Sequence, residues 1–214
     1  KKKINSINNL QNKSLELCLL LSIPACFGLT IASYEIVNAL FGYGSFTSRD
    51  AYLTSLALKY FGYGIPAFAL IKILSNLFFA RDNTKTPFYL SLVNVSLNIL
   101  ISVYYFKEVG FLIIPIATSV STWVTVFVYL ILLSNKKFLS IKKLPFKNFI
   151  KIIFSTILMS LALHYALALF DDKLLYTNNY KFFYVIFVIS LVAAIYLISC
   201  NLLGVLKIKN YRTN

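Results

Sequence analysis

The chain has 214 residues, of which 59% are hydrophobic and 13% charged, with a mean hydropathy of +0.76. A soluble domain is about half apolar and a quarter charged, so the composition excludes an ordinary soluble enzyme or binding module and points to an integral membrane protein. The formal charge of +14 would suit nucleic acid, but the lysines fall in the gaps between apolar runs, as membrane topology requires, and no nucleic-acid partner is read.

The opening stretch "KKKINSINNLQNKS" contains no Met. The apolar run after it is too long for a signal peptide and no small-residue cleavage site follows. Residue 1 therefore reads as an internal point of a longer protein, or as the start of a split gene product.

A helix that crosses a bilayer needs about 20 mostly apolar residues. Six runs qualify, at roughly 15–41, 51–80, 87–106, 109–134, 147–170 and 180–206. Strand alternation and heptad seams are absent from the sequence, so the fold class is all-α, integral to the membrane, with six transmembrane helices. Gly42 and Gly44 end the first run. Pro87 sits at a helix start, where its missing N–H is harmless, and Pro145 marks a similar boundary before the fifth run.

The second run would reach roughly 45 Å as a straight helix, more than the ~30 Å hydrocarbon core. "GYGIP" at 62–66 is expected to bend it, because Pro66 removes a ladder hydrogen bond. Lys59 and Lys72 lie within this run, about 220° apart around an ideal helix. Each is either a snorkelling lysine or a cation facing a polar route.

Ser91, Asn94, Asn98 and Ser102 share one face of the third run. Thr118, Ser121, Thr122 and Thr125 share one face of the fourth. Such stripes act as interhelical glue or line a polar cavity, and as hard oxygens without a carboxylate they would hold a cation weakly. Glu35 reads as an interfacial acid and His164 as a packing residue. Cys18, Cys26 and Cys200 all lie in apolar runs and read as small buried residues. No spacing suits a metal site, a catalytic triad or a phosphate loop, so no covalent chemistry and no enzyme activity are read.

With the N-terminus inside, fifteen Lys and Arg fall in inside segments and four (Arg49, Lys107, Lys173 and Lys181) in outside ones. The positive-inside rule then makes both termini cytoplasmic. Tyr43, Phe46, Tyr52, Tyr104, Tyr105, Phe106, Tyr176, Tyr180, Phe182, Phe183 and Tyr184 crowd the outer edges, as an interfacial belt does.

Three stretches together carry a family resemblance. "ALFGYGSFTSRDAYLTSLALKYFGYGIPAFALIKIL", "FFARDNTKTPF" and "GFLIIPIATSVSTW" resemble the outer loop and helix, the inner-loop signature and the next span of the lipid II flippases, MurJ (MviN). The resemblance implies a fourteen-helix transporter of the MOP superfamily, in which two six-helix lobes rock about a cationic cavity and two further helices form a groove for the lipid tail. On that pattern this chain covers helices nine to fourteen. Residues 1–134 would be the C-terminal part of the second lobe and 135–214 the tail groove, with the N-terminal lobe missing.

The implied function is to move lipid II, an undecaprenyl-pyrophosphate-linked precursor, from the cytoplasmic to the periplasmic leaflet of the bacterial inner membrane. Lipid II and membrane lipids are the implied partners, and Lys59, Lys72 and Ser91 are placed on the substrate route. The arginines that grip pyrophosphate in the family lie outside this stretch. Some members bind sodium, and Asn94, Asn98 and Thr118 stand at matching places, although Asn98 replaces an expected carboxylate and the helix-seven acid is missing. The alternatives are a polysaccharide-lipid exporter of the same superfamily and a non-transporting membrane scaffold or degenerate remnant.

Overall fold

The computed structural model describes residues 2–136 and 146–205, with side chains at 10–136 and 147–205. Within that range all regular structure is helical. The helices are α1 (Lys2–Ile31), α2 (Ser33–Phe41), α3 (Ser48–Phe79), α4 (Lys85–Val109), α5 (Ile113–Asn135), α6 (Phe146–Leu169), α7 (Asp171–Leu174) and α8 (Lys181–Leu202), with a 3-10 turn at Gly110–Leu112 between α4 and α5. Pro145 and the end of the sixth run at 206 lie outside the described residues.

Five helical stretches among the described residues are long and apolar enough to cross a membrane: Leu10–Ile31, Ser48–Phe79, Lys85–Asn135, Lys147–Leu169 and Lys181–Leu202. The third is divided by the turn at Gly110, whose φ of 70° suits glycine alone, into two rods that pack along each other. Six membrane-length rods result, as read from the sequence. One boundary differs. The run 15–41 is interrupted at Ala32, and helix begins well before it, at Lys2.

Local chemistry sets the ends of α3. Thr47 and Asp50 form a capping box: Asp50 Oδ2 accepts from Thr47 N–H at 2.9 Å and from its hydroxyl at 2.7 Å, while Thr47 Oγ1 accepts from Asp50 N–H at 3.2 Å. At the other end Asp82 takes the left-handed conformation, φ 55°. The amides of Asp82 and Asn83 then close onto the carbonyls of Phe79 and Phe78, the Schellman arrangement. Arg81 Nη1 donates to the Leu77 carbonyl at 2.6 Å and covers one more orphan acceptor. "FFARDN" is thus a helix stop in this structure.

The chain forms two compact units, residues 1–22 with 60–146, and residues 23–59 with 147–214. This is a grouping by contact. The boundary near 134 concerns the lobe and the added helices, which is a different division.

In the first unit Leu74, Phe78, Val126, Tyr129 and Leu133 make the centre, with Leu15 and Leu90 against them. The rings of Phe78 and Tyr129 lie 5.8 Å apart, tilted by 59°, a favourable aromatic geometry. In the second unit Ala39, Leu174 and Val185 pack with Leu167, Phe170 and Tyr184. Outside these cores the helices are apolar on their exposed faces too. Leu100, Val103, Ile131, Leu161 and Leu197 are all more than half exposed, which suits hydrocarbon as the surrounding solvent.

Candidate functional site

In the first unit, α3 and α5 meet at "GYGIP". The helix runs unbroken through Pro66. A proline frees carbonyls in the preceding turn, and two carbonyls of that stretch receive bonds from α5. Ser119 Oγ donates to the Tyr60 carbonyl at 2.6 Å, and Trp123 Nε1 donates to the Tyr63 carbonyl at 2.9 Å. Neighbouring helices commonly re-satisfy backbone around a membrane proline in this way. Gly64 permits the approach, since a Cβ there would lie 2.8 Å from Ser119 Oγ and 3.3 Å from its Cα.

The two polar stripes meet across α4 and α5. Asn98 Nδ2 donates to Thr118 Oγ1 at 2.9 Å, and Ser102 Oγ donates to Asn98 Oδ1 at 3.2 Å. The four hydroxyls of the α5 stripe turn back on their own helix. Thr118 donates to the Ile114 carbonyl, Ser121 and Thr122 to that of Thr118, and Thr125 to that of Ser121. Asn94 is half-buried on the same face of α4 as Asn98.

As a test of sodium, this arrangement fits poorly. Asn98 presents its NH2 to Thr118, Asn98 Oδ1 is engaged by Ser102, and neither Asn nor Thr brings negative charge. Among the described residues there is no group of three His, Cys, Asp or Glu that could hold a metal.

The residues placed on the substrate route are not assembled into one cluster. Lys72 is exposed on α3 in the first unit, and Lys59 is half-buried on α3 in the second. Ser91 lines a hollow of about 620 Å³ with Ser75, Thr84, Lys85 and Tyr129, its own hydroxyl donating to the Phe88 carbonyl at 2.7 Å.

The second unit holds a feature that sequence reasoning missed. Lys181, counted there as an outer-loop cation, is 1% exposed. Its Nζ donates to the carbonyls of Gly42 at 2.6 Å and Tyr176 at 2.7 Å. It also sits 4.4 Å from the Tyr43 ring centroid and 4.6 Å from that of Tyr176, within cation–π range of both. Tyr176 OH donates to the Phe46 carbonyl, and Asn38 Nδ2 donates to the Leu174 carbonyl at 3.0 Å. The "GYGSF" turn is therefore fastened to the segment before α8. Tyr43 and Tyr176, read as interfacial belt, are the walls of a lysine cage.

The remaining candidates fall into place simply. Cys26 and Cys200 are buried and Cys18 is half-buried, all as free thiols. His164 is exposed beside Tyr165. Glu35 is half-buried, with one carboxylate oxygen enclosed and unpartnered.

Membrane-length apolar helices with lipid-compatible outer faces define a multi-pass membrane protein. A protein-family profile described as lipid II flippase MurJ matches residues 1–187. The chain belongs to that family.

Among curated relatives, a probable lipid II flippase MurJ of Rickettsia prowazekii (strain Madrid E) is 36% identical over 120 residues, covering 56% of this chain and 24% of the relative. One from Buchnera aphidicola subsp. Acyrthosiphon pisum (strain APS) is 29% identical over 89% of this chain and 37% of its own length. The lipid II flippase MurJ of Thermosipho africanus (strain TCF52B) is 30% identical over 69% of this chain and 30% of its own. A solved structure of lipid II flippase MurJ in an inward closed conformation superposes with a TM-score of 0.75 at 27% identity, over 94% of this chain and 40% of that one. The chain thus has a MurJ-like fold and spans well under half the length of these relatives.

Proposed function

We propose that this chain forms the C-terminal part of a transporter that moves lipid II from the cytoplasmic to the periplasmic leaflet. The observation that carries the reading is the family match over residues 1–187, joined to the likeness over 94% of the chain to a solved lipid II flippase. On this reading residues 1–134 belong to the second lobe and 135–214 to the groove for the lipid tail. Both termini face the cytoplasm of a bacterial inner-membrane protein, in keeping with the lysine asymmetry.

A pyrophosphate headgroup cannot cross hydrocarbon unaided, because removing its charge from water is prohibitive without compensation. A closed polar route replaces that water, and rocking of one repeat against another opens the route to each side in turn. Lys59 and Lys72 lend positive potential to the wall of the route, as flexible point charges rather than bidentate clamps. Ser91 lines the wall near its inner end. Asn98 with Thr118 holds α4 against α5 so that the wall stays aligned.

The test uses cells depleted of their own flippase and supplied with the protein that contains this chain. Growth and the appearance of lipid II at the outer leaflet are expected to return together. Absence of both at normal membrane levels overturns the reading. Within it, Lys72→Arg should keep most activity and Lys72→Glu should lose it. Full rescue by Lys72→Glu removes Lys72 from the route.

A further inference from the structure

The hollow of about 620 Å³ in the first unit lies where α4 begins, within the size range of small-molecule sites. Its polar lining is Lys85, Thr84, Ser75, Ser91 and the Tyr129 hydroxyl, and its apolar lining includes Ile71, Phe79 and Phe88. Thr84 is the N-cap residue of α4 yet makes no capping bond with its side chain. Of the first amides, Thr86 N–H is taken by Asn83 Oδ1 and Phe88 N–H by the Thr84 carbonyl, which leaves that of Lys85. This is the positive end of a 25-residue helix, with an ammonium on its first residue.

A second observation points to a ligand independently. Tyr129 is 2% exposed, and a buried tyrosine hydroxyl ordinarily finds a hydrogen-bond partner. This one has none among the described residues. Nor is it one of the fully enclosed unpartnered atoms, which belong to Ser22, Glu35, Asn38 and Ser155. Tyr129 lines the hollow, where a ligand can supply the missing partner.

We propose that this hollow binds an anionic phospholipid. The phosphate is held at the start of α4 by Lys85, the Thr84 hydroxyl and the Tyr129 hydroxyl, and the acyl chains run along Ile71, Phe79 and Phe88. A helix N-terminus and an ammonium favour an anion, and a wall of aliphatic and aromatic side chains favours an acyl tail. Neither half alone selects a phospholipid; their juxtaposition does. On the proposed orientation the site faces the cytoplasmic leaflet, whose anionic headgroups concentrate there. The proposal does not rest on transport.

The test titrates detergent-purified protein with short-chain phosphatidylglycerol, short-chain phosphatidylcholine and inorganic phosphate, reading adducts by native mass spectrometry and the melting temperature. Phosphatidylglycerol should bind and raise the melting temperature, the other two should not, and Lys85→Gln and Tyr129→Phe should each weaken its binding by about tenfold or more, the worth of a hydrogen bond to a charged group. Tyr129→Phe keeps the ring against Phe78, and Lys85 is exposed, so at least the latter variant folds. Equal binding of phosphatidylcholine would mean that the hollow does not read net headgroup charge, and overturns the proposal. Binding of phosphate as tight as that of phosphatidylglycerol would mean an anion site without a lipid, and does the same. So would undiminished binding by Lys85→Gln. A protein that binds phosphatidylglycerol but moves no lipid II leaves this inference standing and removes the proposed function instead.

Discussion

The ammonium of Lys181 lies 2.6 Å from the carbonyl oxygen of Gly42, across 139 positions of sequence. This contact closes the turn after α2 onto the first residue of α8. Lys181→Met should retain the packing of the aliphatic stem but leave two carbonyls without their donor and two rings without their cation. Each hydrogen bond to a charged group is worth about 1.5–3 kcal/mol, so a loss of roughly 3 kcal/mol or more is expected. The check is the unfolding midpoint of purified protein in detergent. A midpoint equal to that of the parent would show that the cage does not hold the turn.

Gly42 and Gly44 should respond differently to alanine. A Cβ on Gly42 would lie 2.3 Å from Asn38 Oδ1 and 3.0 Å from Lys181 Nζ, whereas one on Gly44 meets nothing within 4 Å. Gly44 has a φ of +61°, so Gly44→Ala costs about 1 kcal/mol of backbone strain. Gly42→Ala has to displace the cage itself and should cost more. The same melting experiment ranks the two, and the reverse order contradicts the geometry.

Gly64→Val should separate α3 from α5. Its side chain would meet Ser119, whose hydroxyl already serves the Tyr60 carbonyl. Overpacking of this kind costs typically 1–3 kcal/mol. Trp123 reports the event, because its indole N–H donates to the Tyr63 carbonyl in the same contact. A shifted tryptophan emission is expected alongside the lowered midpoint, and unchanged emission would place the damage elsewhere.

Asn98→Leu and Thr118→Val should each destabilise by roughly 0.6–2 kcal/mol, the range for polar contacts between membrane helices. Combined, they should cost less than the sum, since they share one hydrogen bond. Exchange of sodium for potassium should leave the parent's midpoint unchanged, because Thr118 and Asn98 spend their oxygens on protein partners. Strict additivity would argue against the pair, and a sodium-specific rise would argue for a cation there.

Single cysteines at Thr47 and Thr177 should react with an impermeant reagent from outside, and one at Ser140 only after the membrane is opened. This follows from the fifteen-to-four distribution of basic residues. Labelling of Ser140 from outside would invert the proposed orientation.

Much of the architecture was legible because membrane helices announce themselves by length and hydropathy alone, although α4 begins at Lys85, two residues before the Pro87 that was read as its start. The stripes of Asn98 and Thr118 were legible too, since a helical period places them on facing sides. The break at Ala32 was not, because no proline or glycine marks it. Nor was the burial of Lys181. A lysine beside an aromatic cluster at a helix start looks the same whether it meets lipid headgroups or two carbonyls from a turn far earlier in the chain. The capping role of Asp50 was hidden for a related reason. Beside Arg49 it reads as half of an ion pair, and only the backbone path shows Thr47 as its partner.

The hydroxyl stripe of α5 has one consequence for recognition. Thr118, Ser121, Thr122 and Thr125 have each given their proton to a carbonyl of their own helix, so what the stripe offers its surroundings is lone pairs. Such a surface accepts and does not donate. It welcomes an amide N–H, as Thr118 does that of Asn98, and with Ser121, Thr122 and Thr125 buried it meets packed protein. A helix that packs on this face must therefore bring the donors, as α4 does with Asn98.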